Sequence, residues 1–233
     1  MAFLAVLNSY RICTFARNMN SMKYICTFLL VFVMSGAFAQ NEIPATESGK
    51  RVNSAQEKLS KAKMSPFGGI NAKNIGPTVM SGRVVDLKVN PKDHHIFYVA
   101  YASGGLWKTI NNGASFEPLF DQEMVMTIGA FDINWETNEI WLGTGEVNSS
   151  RSSYAGVGMF HSSDDGKTWS FKGLEDSHHI GRVIIHPTSP ETVYVAALGH
   201  LYSDNQERGL FKTTNSGESW EKVLSISEKT GIV

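Results

Sequence analysis

Between residues 74 and 233 the hydrophobic and polar positions fall into short runs. They alternate, or gather in brief β-branched and aromatic clusters, with Gly, Pro and Asn between them. A helical period does not survive these interruptions, so the fold class is all-β. Four strands are predicted in each of three groups: 83–89, 96–100, 105–109 and 116–120; then 128–134, 139–143, 158–162 and 169–172; then 182–185, 192–197, 209–213 and 220–224. Turn chemistry separates them, as in Asn90-Pro91-Lys92-Asp93 and His186-Pro187-Thr188-Ser189-Pro190.

One octapeptide recurs between the third and fourth strand of every group: Thr109 to Phe116, Ser162 to Trp169 and Thr213 to Trp220. Its frame is hydroxyl, any, Asp or Asn, any, Gly, any, any, aromatic. The glycines stand at 113, 166 and 217, so the spacings are 53 and 51 residues, an internal repeat. The acid or amide folds back onto N–H groups of a tight turn, the Gly supplies a positive φ, and the aromatic starts the next strand pointing into a core. Asn111, Gly113, Phe116, Asp164, Gly166, Trp169, Asn215, Gly217 and Trp220 are therefore structural, and Asp164 with Asp165 is not a catalytic pair. Four strands per unit of about 50 residues match the blade of a β-propeller. Residues 230–233 repeat the pattern that opens the inner strands near 80 and 179. The expectation is a front fragment holding three blades of an incomplete ring, stopping as a fourth begins.

Composition narrows the class. With a net charge of −1 and 42% hydrophobic residues, the chain carries no basic field for nucleic acid. Residues 1–39 have the form of a signal peptide: Lys23, an apolar run from Tyr24 to Met34, and Ala37-Phe38-Ala39 before Gln40. Translation starting at Met19 or Met22 accounts for the long preface. The expected location is therefore outside the cell, in the periplasm or at the surface, with membrane contact only through the uncleaved signal. Both cysteines, Cys13 and Cys26, fall within that segment, so the exported chain relies on packing. Residues 40–73 read as a polar linker with a short helix over 54–63, and residues 74–233 as the propeller.

Candidate chemistry gathers on one rim. In four-stranded blades the loops between strands two and three share a face with those leading to the next inner strand. That face receives the long polar loops, which is where binding sits on a rigid scaffold. The candidate ligand-binding residues are Arg83, Glu146, Asn148, Arg151, His178, His179, Arg182, His200, Glu207 and Arg208. Arg83 and Arg182 look equivalent at the starts of inner strands; they either ring the central channel or pair with a carboxylate such as Asp86 or Glu146. Glu146 and Glu207 act as acid or base only if the channel brings them to a bond, and otherwise form solvated ion pairs. His178 and His179 are adjacent on an extended segment and point opposite ways, with no third ligand at a recognisable spacing, so neither a metal nor a cofactor is expected.

These residues resemble the Asp-box (BNR) repeat propellers, and among them the sortilin N-terminal, VPS10-like propellers of exported bacterial proteins. The resemblance covers 74–233. It rests on the three octapeptides, on Ser103-Gly104-Gly105-Leu106-Trp107-Lys108-Thr109, on Asp176-Ser177-His178-His179-Ile180-Gly181-Arg182, and on Glu207-Arg208-Gly209-Leu210-Phe211-Lys212-Thr213-Thr214. It implies binding of an extracellular peptide, protein or glycan through the loop-rich face, with glycoside hydrolysis as the alternative. Sialidases of this group carry an early Arg-Ile-Pro motif that this chain lacks. Xyloglucan-cleaving members place a catalytic Asp before a Gly-Gly pair, where this chain has Ala102 and Ser103. Catalytic residues are therefore unassigned. The fold itself does not decide among these functions.

Overall fold

The computed structural model describes residues 46–70, 82–148 and 153–233. The expected signal peptide and Arg151 lie outside the described residues. Helix α1 spans Ser48–Met64, with Lys61 and Lys63 in its last turn, where cations complement the helix dipole. Among the described residues no helix is long and apolar enough to cross a membrane. The rest is built from twelve strands: β1 (Val84–Val89), β2 (Phe97–Tyr101), β3 (Gly105–Thr109), β4 (Glu117–Pro118), β5 (Ile128–Asn134), β6 (Glu139–Thr144), β7 (Met159–Ser162), β8 (Ser170–Phe171), β9 (Ile180–Ile185), β10 (Val193–Ala197), β11 (Gly209–Thr213) and β12 (Glu221–Leu224). They form three four-stranded sheets, each an antiparallel meander in chain order. The inner strands β1, β5 and β9 neighbour one another across the sheets. These are three blades of an incomplete β-propeller.

The core lies between blades rather than within them. Side chains alternate across a strand, and the middle blade uses both faces. From β5 and β6, Phe131, Ile133, Ile140 and Leu142 pack toward the first blade with Tyr98, Leu106 and Phe120. Ala130 and Trp141 pack toward the third, with Val183, Val195 and Phe211. This is why β5 and β6 are buried almost throughout, whereas β1 is half-exposed and β12 exposed along its length. Polar ties cross the same interfaces. Asp86 Oδ2 accepts the Phe131 N–H at 3.3 Å, and Asp132 Oδ2 accepts the Ile185 N–H at 2.9 Å.

The repeated octapeptide clasps its own hairpin and also docks on the preceding blade. In the second copy Ser162 Oγ accepts the Gly166 N–H and donates to Asp164 Oδ1, which also accepts the Thr168 N–H, all between 2.8 and 2.9 Å. Asn111 and Asn215 do the same in the other copies. The turn needs two left-handed residues in succession, not the glycine alone: Asp165 has φ 65° before Gly166 at 80°, and Asn112 and Ser216 stand likewise before Gly113 and Gly217. The closing aromatic does more than face a core. Trp169 Nε1–H donates to Leu119 O of the first blade at 2.8 Å, and Trp220 Nε1–H donates to Lys172 O of the second at 2.6 Å. Asp165 adds a second tie, accepting from Tyr98 Oη and Lys108 Nζ of the first blade.

Pairing corrects one expectation from the sequence. Val84 pairs with Tyr101 and Ile180 with Ala197, and each partner faces the glycine that opens its third strand, Gly105 or Gly209. Val84 and Ile180 are therefore equivalent. Arg83 corresponds to His179, while Arg182 corresponds to Asp86, so the shared Gly-Arg-Val is three residues out of register. Each inner strand carries a bulge after its first residue, at Val85, Gly129 and Gly181.

Candidate functional site

The starts of the inner strands border an open cavity of about 440 Å³, lined by Asp86, Ala130 and Arg182 together with Asn148 and Val233. Arg182 thus faces this cavity, whereas Arg83 turns to a carboxylate. Its guanidinium grips Glu146 bidentately through Nε and Nη2, and Asn148 Nδ2 donates to Glu146 Oε1 at 3.2 Å. Glu146 is fully buried while Arg83 is 43% exposed, so the pair has its carboxylate inside the protein and its cation at the surface. The Glu146 hydrogen bond raises the Arg83 pKa further above neutrality, keeping the cation in place. The pair joins the segment before β1 to the loop after β6, fastening the first blade to the second.

A second cluster forms where the β8–β9 connection meets the β10–β11 loop. Arg208 organises it: Nη1 donates to Leu198 O at 2.7 Å, and Nη2 donates to His200 O and to Ser203 O, the latter at 3.2 Å. A buried guanidinium whose two terminal nitrogens donate to three carbonyls holds the long loop in one shape. Asn205 Nδ2 donates to Asp176 O at 3.2 Å and to Asp176 Oδ2 at 2.9 Å. Glu207 Oε2 accepts the Asp176 N–H at 3.0 Å. The His178 ring lies against that of His200, with centroids 3.6 Å apart. Helix α1 also reaches this rim: Arg51 Nη2 donates to Glu175 O at 3.1 Å and Nη1 to Gly156 O.

Burial sets the protonation states. It pushes His178 down to about 3, with the Arg51 charge adding to the effect. Burial likewise lowers His179 to about 4, although the nearby Glu146 opposes the shift. Both imidazoles are neutral at pH 7. Glu207 moves the other way, up to about 7, through burial and then the Asp176 and Glu175 carboxylates. A carboxyl group half-protonated at neutral pH is able to donate a proton.

The structure therefore splits the sequence candidates into two adjoining groups on the loop-bearing face. Arg83 and Glu146 form a blade-joining pair that Asn148 supports, and His178, His200, Glu207 and Arg208 form the rim cluster. His179 lies between them, and Arg182 lines the cavity. Sequence reasoning missed Asp176, Ser203 and Asn205, although they sit in loops already marked by their length. It missed Arg51 without any available signal, because nothing in a polar helix announces one residue that bridges to distant carbonyls. The segment is not extended at this point: His178 has φ 55°, and its ring meets that of His179 edge-on with centroids 6.2 Å apart. The ligand-type groups beside His178 are Asp176 and His200, the latter on a loop more than twenty residues later.

No protein-family model matches the sequence, and no curated protein does. Among solved structures the chain is similar to an ancestral GH74 enzyme at 18% identity and a TM-score of 0.53, covering 69% of this chain and 20% of that one. It also aligns with the GH74 xyloglucanase from Xanthomonas campestris (17% identity, TM-score 0.46, 68% of this chain and 22% of that one). A third alignment is with YCF48 bound to D1 peptide (15% identity, TM-score 0.46, 68% and 45%). The chain spans about a fifth of the length of the two GH74 enzymes. At such identity the likeness speaks for architecture alone, and the architecture is that of a β-propeller.

Proposed function

We propose that this chain is an exported Asp-box propeller of the sortilin N-terminal type that binds an extended polar ligand, a peptide or glycan, across its loop-bearing face. The observation that carries this reading is a pair of outward-facing tyrosines on the loops that hold the fixed polar groups. Tyr154 on the β6–β7 loop is 57% exposed, and Tyr202 on the β10–β11 loop is 84% exposed. Exposed aromatics beside ordered polar groups offer a ligand flat apolar area at low entropic cost. The polar groups are immobilised by Arg208, Asn205 and the Glu146 pair, so little ordering is left for the binding step.

Arrays of extracellular peptides and glycans, probed with the full chain, test the reading. Tyr154→Ala and Tyr202→Ala should each weaken a saturable ligand about tenfold, worth about 1.4 kcal/mol, while stability stays within about 0.5 kcal/mol because both rings are exposed. Binding indifferent to both changes would refute it. Export is checked separately by sequencing the mature N-terminus, expected at Gln40.

Glycoside hydrolysis is the second reading, and Glu207 is the observation favouring it. Its carboxyl group accepts a backbone N–H, and among the described residues it joins no ion pair. Reducing-sugar release abolished by Glu207→Gln would establish turnover, and binding without release would confine the chain to recognition.

A further inference from the structure

We infer that Asp176, His178 and His200 form a binding site for a divalent transition-metal ion of the zinc type. Among the described residues these three place one ligand atom each within 4.8 Å of one another. Zinc at about 2.0–2.1 Å from each ligand in tetrahedral geometry sets neighbouring ligand atoms roughly 3.3–3.4 Å apart. Asp176 Oδ1 lies 3.3 Å from His200 Nε2 and 3.8 Å from His178 Nε2. The three ligand atoms lie within 4.8 Å of one another and the two rings are stacked, so gathering them on one ion takes rotation of both imidazoles about their side-chain bonds.

Hydrogen bonding alone does not account for the arrangement. Both Nε2 atoms turn toward the same carboxylate oxygen, yet a bond at 3.8 Å is too long. His178 Nε2 is buried and has no hydrogen-bond partner in the protein, so its lone pair stays available to a ligand. A cation shared by the two rings and the carboxylate accounts for the arrangement.

The surroundings are those of a supported ligand set. Ser203 Oγ lies 2.8 Å from His200 Nδ1, so a proton on Nδ1 leaves the Nε2 lone pair facing Asp176. Asn205 Nδ2 holds the other carboxylate oxygen, Oδ2, leaving Oδ1 for the rings. His178 itself adopts a left-handed backbone with φ 55°, a conformation that a non-glycine residue keeps only where its surroundings impose it. Two imidazoles and one carboxylate select borderline ions such as Zn²⁺ over Ca²⁺ and Mg²⁺, which prefer all-oxygen shells. Three protein ligands leave a fourth position open.

Competitive titration of the full chain with ZnCl₂, in a Cys13→Ser, Cys26→Ser background that removes thiol ligands, decides the matter. The expected result is one zinc ion per chain, not displaced by excess Ca²⁺ or Mg²⁺. His178→Ala and His200→Ala should weaken it at least about 100-fold, and Ser203→Ala about tenfold. His95→Ala, an exposed histidine elsewhere, should change nothing. Asp176→Asn keeps the side-chain shape where an alanine variant fails to fold, and must also lower the affinity. Co²⁺ bound to the wild-type chain should give visible absorption that Asp176→Asn weakens. An absence of stoichiometric uptake, or uptake unchanged in Asp176→Asn and His200→Ala, would overturn the assignment.

Discussion

Replacing Trp169 by Phe removes one hydrogen-bond donor and a little ring area at the junction of the first two blades. The indole N–H bonds Leu119 O at 2.8 Å, and the ring meets Phe120 edge-on with centroids 5.0 Å apart. Losing the bond costs about 1 kcal/mol. The smaller ring forfeits about 0.5 kcal/mol more, because the indole is only partly buried. The sum, about 1.5 kcal/mol, corresponds to a fall in Tm of roughly 3–6 °C for a chain of this size. Trp220→Phe removes the equivalent bond to Lys172 O at the next junction. The two sites share no partner, so the double variant should lose about 3 kcal/mol, additive within about 0.5 kcal/mol. Chemical denaturation followed by near-ultraviolet circular dichroism reads both numbers. A Trp169→Phe chain within about 0.5 kcal/mol of wild type would mean that the octapeptide clasps hairpins without joining blades. Trp169→Ala should cost about 3 kcal/mol, and a value equal to that of the Phe variant would remove the ring from the account.

Three further outcomes follow from the same contacts. Gly217→Ala introduces a Cβ at positive φ and 2.9 Å from the Trp141 ring, whereas Gly113→Ala meets nothing closer than 3.6 Å. Denaturant midpoints should therefore show about 2–3 kcal/mol lost at 217 against about 1 kcal/mol at 113. Hydrogen bonds from the Thr168 N–H and hydroxyl hold Asp164 down at about 2, from an ordinary 3.8. A depressed carboxyl pKa gives stability that is present above pH 3.8 and lost as pH falls through 2. Asp164→Asn, which copies the other two copies of the octapeptide, should match wild type at pH 7 and flatten the acid limb of a Tm-versus-pH series. Arg51→Ala releases α1 from Gly156 and Glu175, and proteolysis at Glu57 in the helix should accelerate about tenfold without altering the blade spectrum.

What the sequence determined by itself was the local code. Alternation marked the strands to within a residue or two, and the recurring octapeptide marked the hairpins, because strand and turn preferences are settled by neighbours in the chain. It also directed attention to the loops that hold His178, His200, Glu207 and Arg208. Register and convergence came from the packing of the sheets. Strand pairing broke the apparent match between Arg83 and Arg182, since it makes Val84 equivalent to Ile180 and leaves the shared Gly-Arg-Val three residues out of step. The closing tryptophans bond to the preceding blade about 50 residues earlier. Asp176 meets His200, and Arg51 meets Glu175, only because loops distant in sequence emerge on one rim of a stack of blades. Such pairings depend on how whole sheets pack, a property that no window along the chain contains.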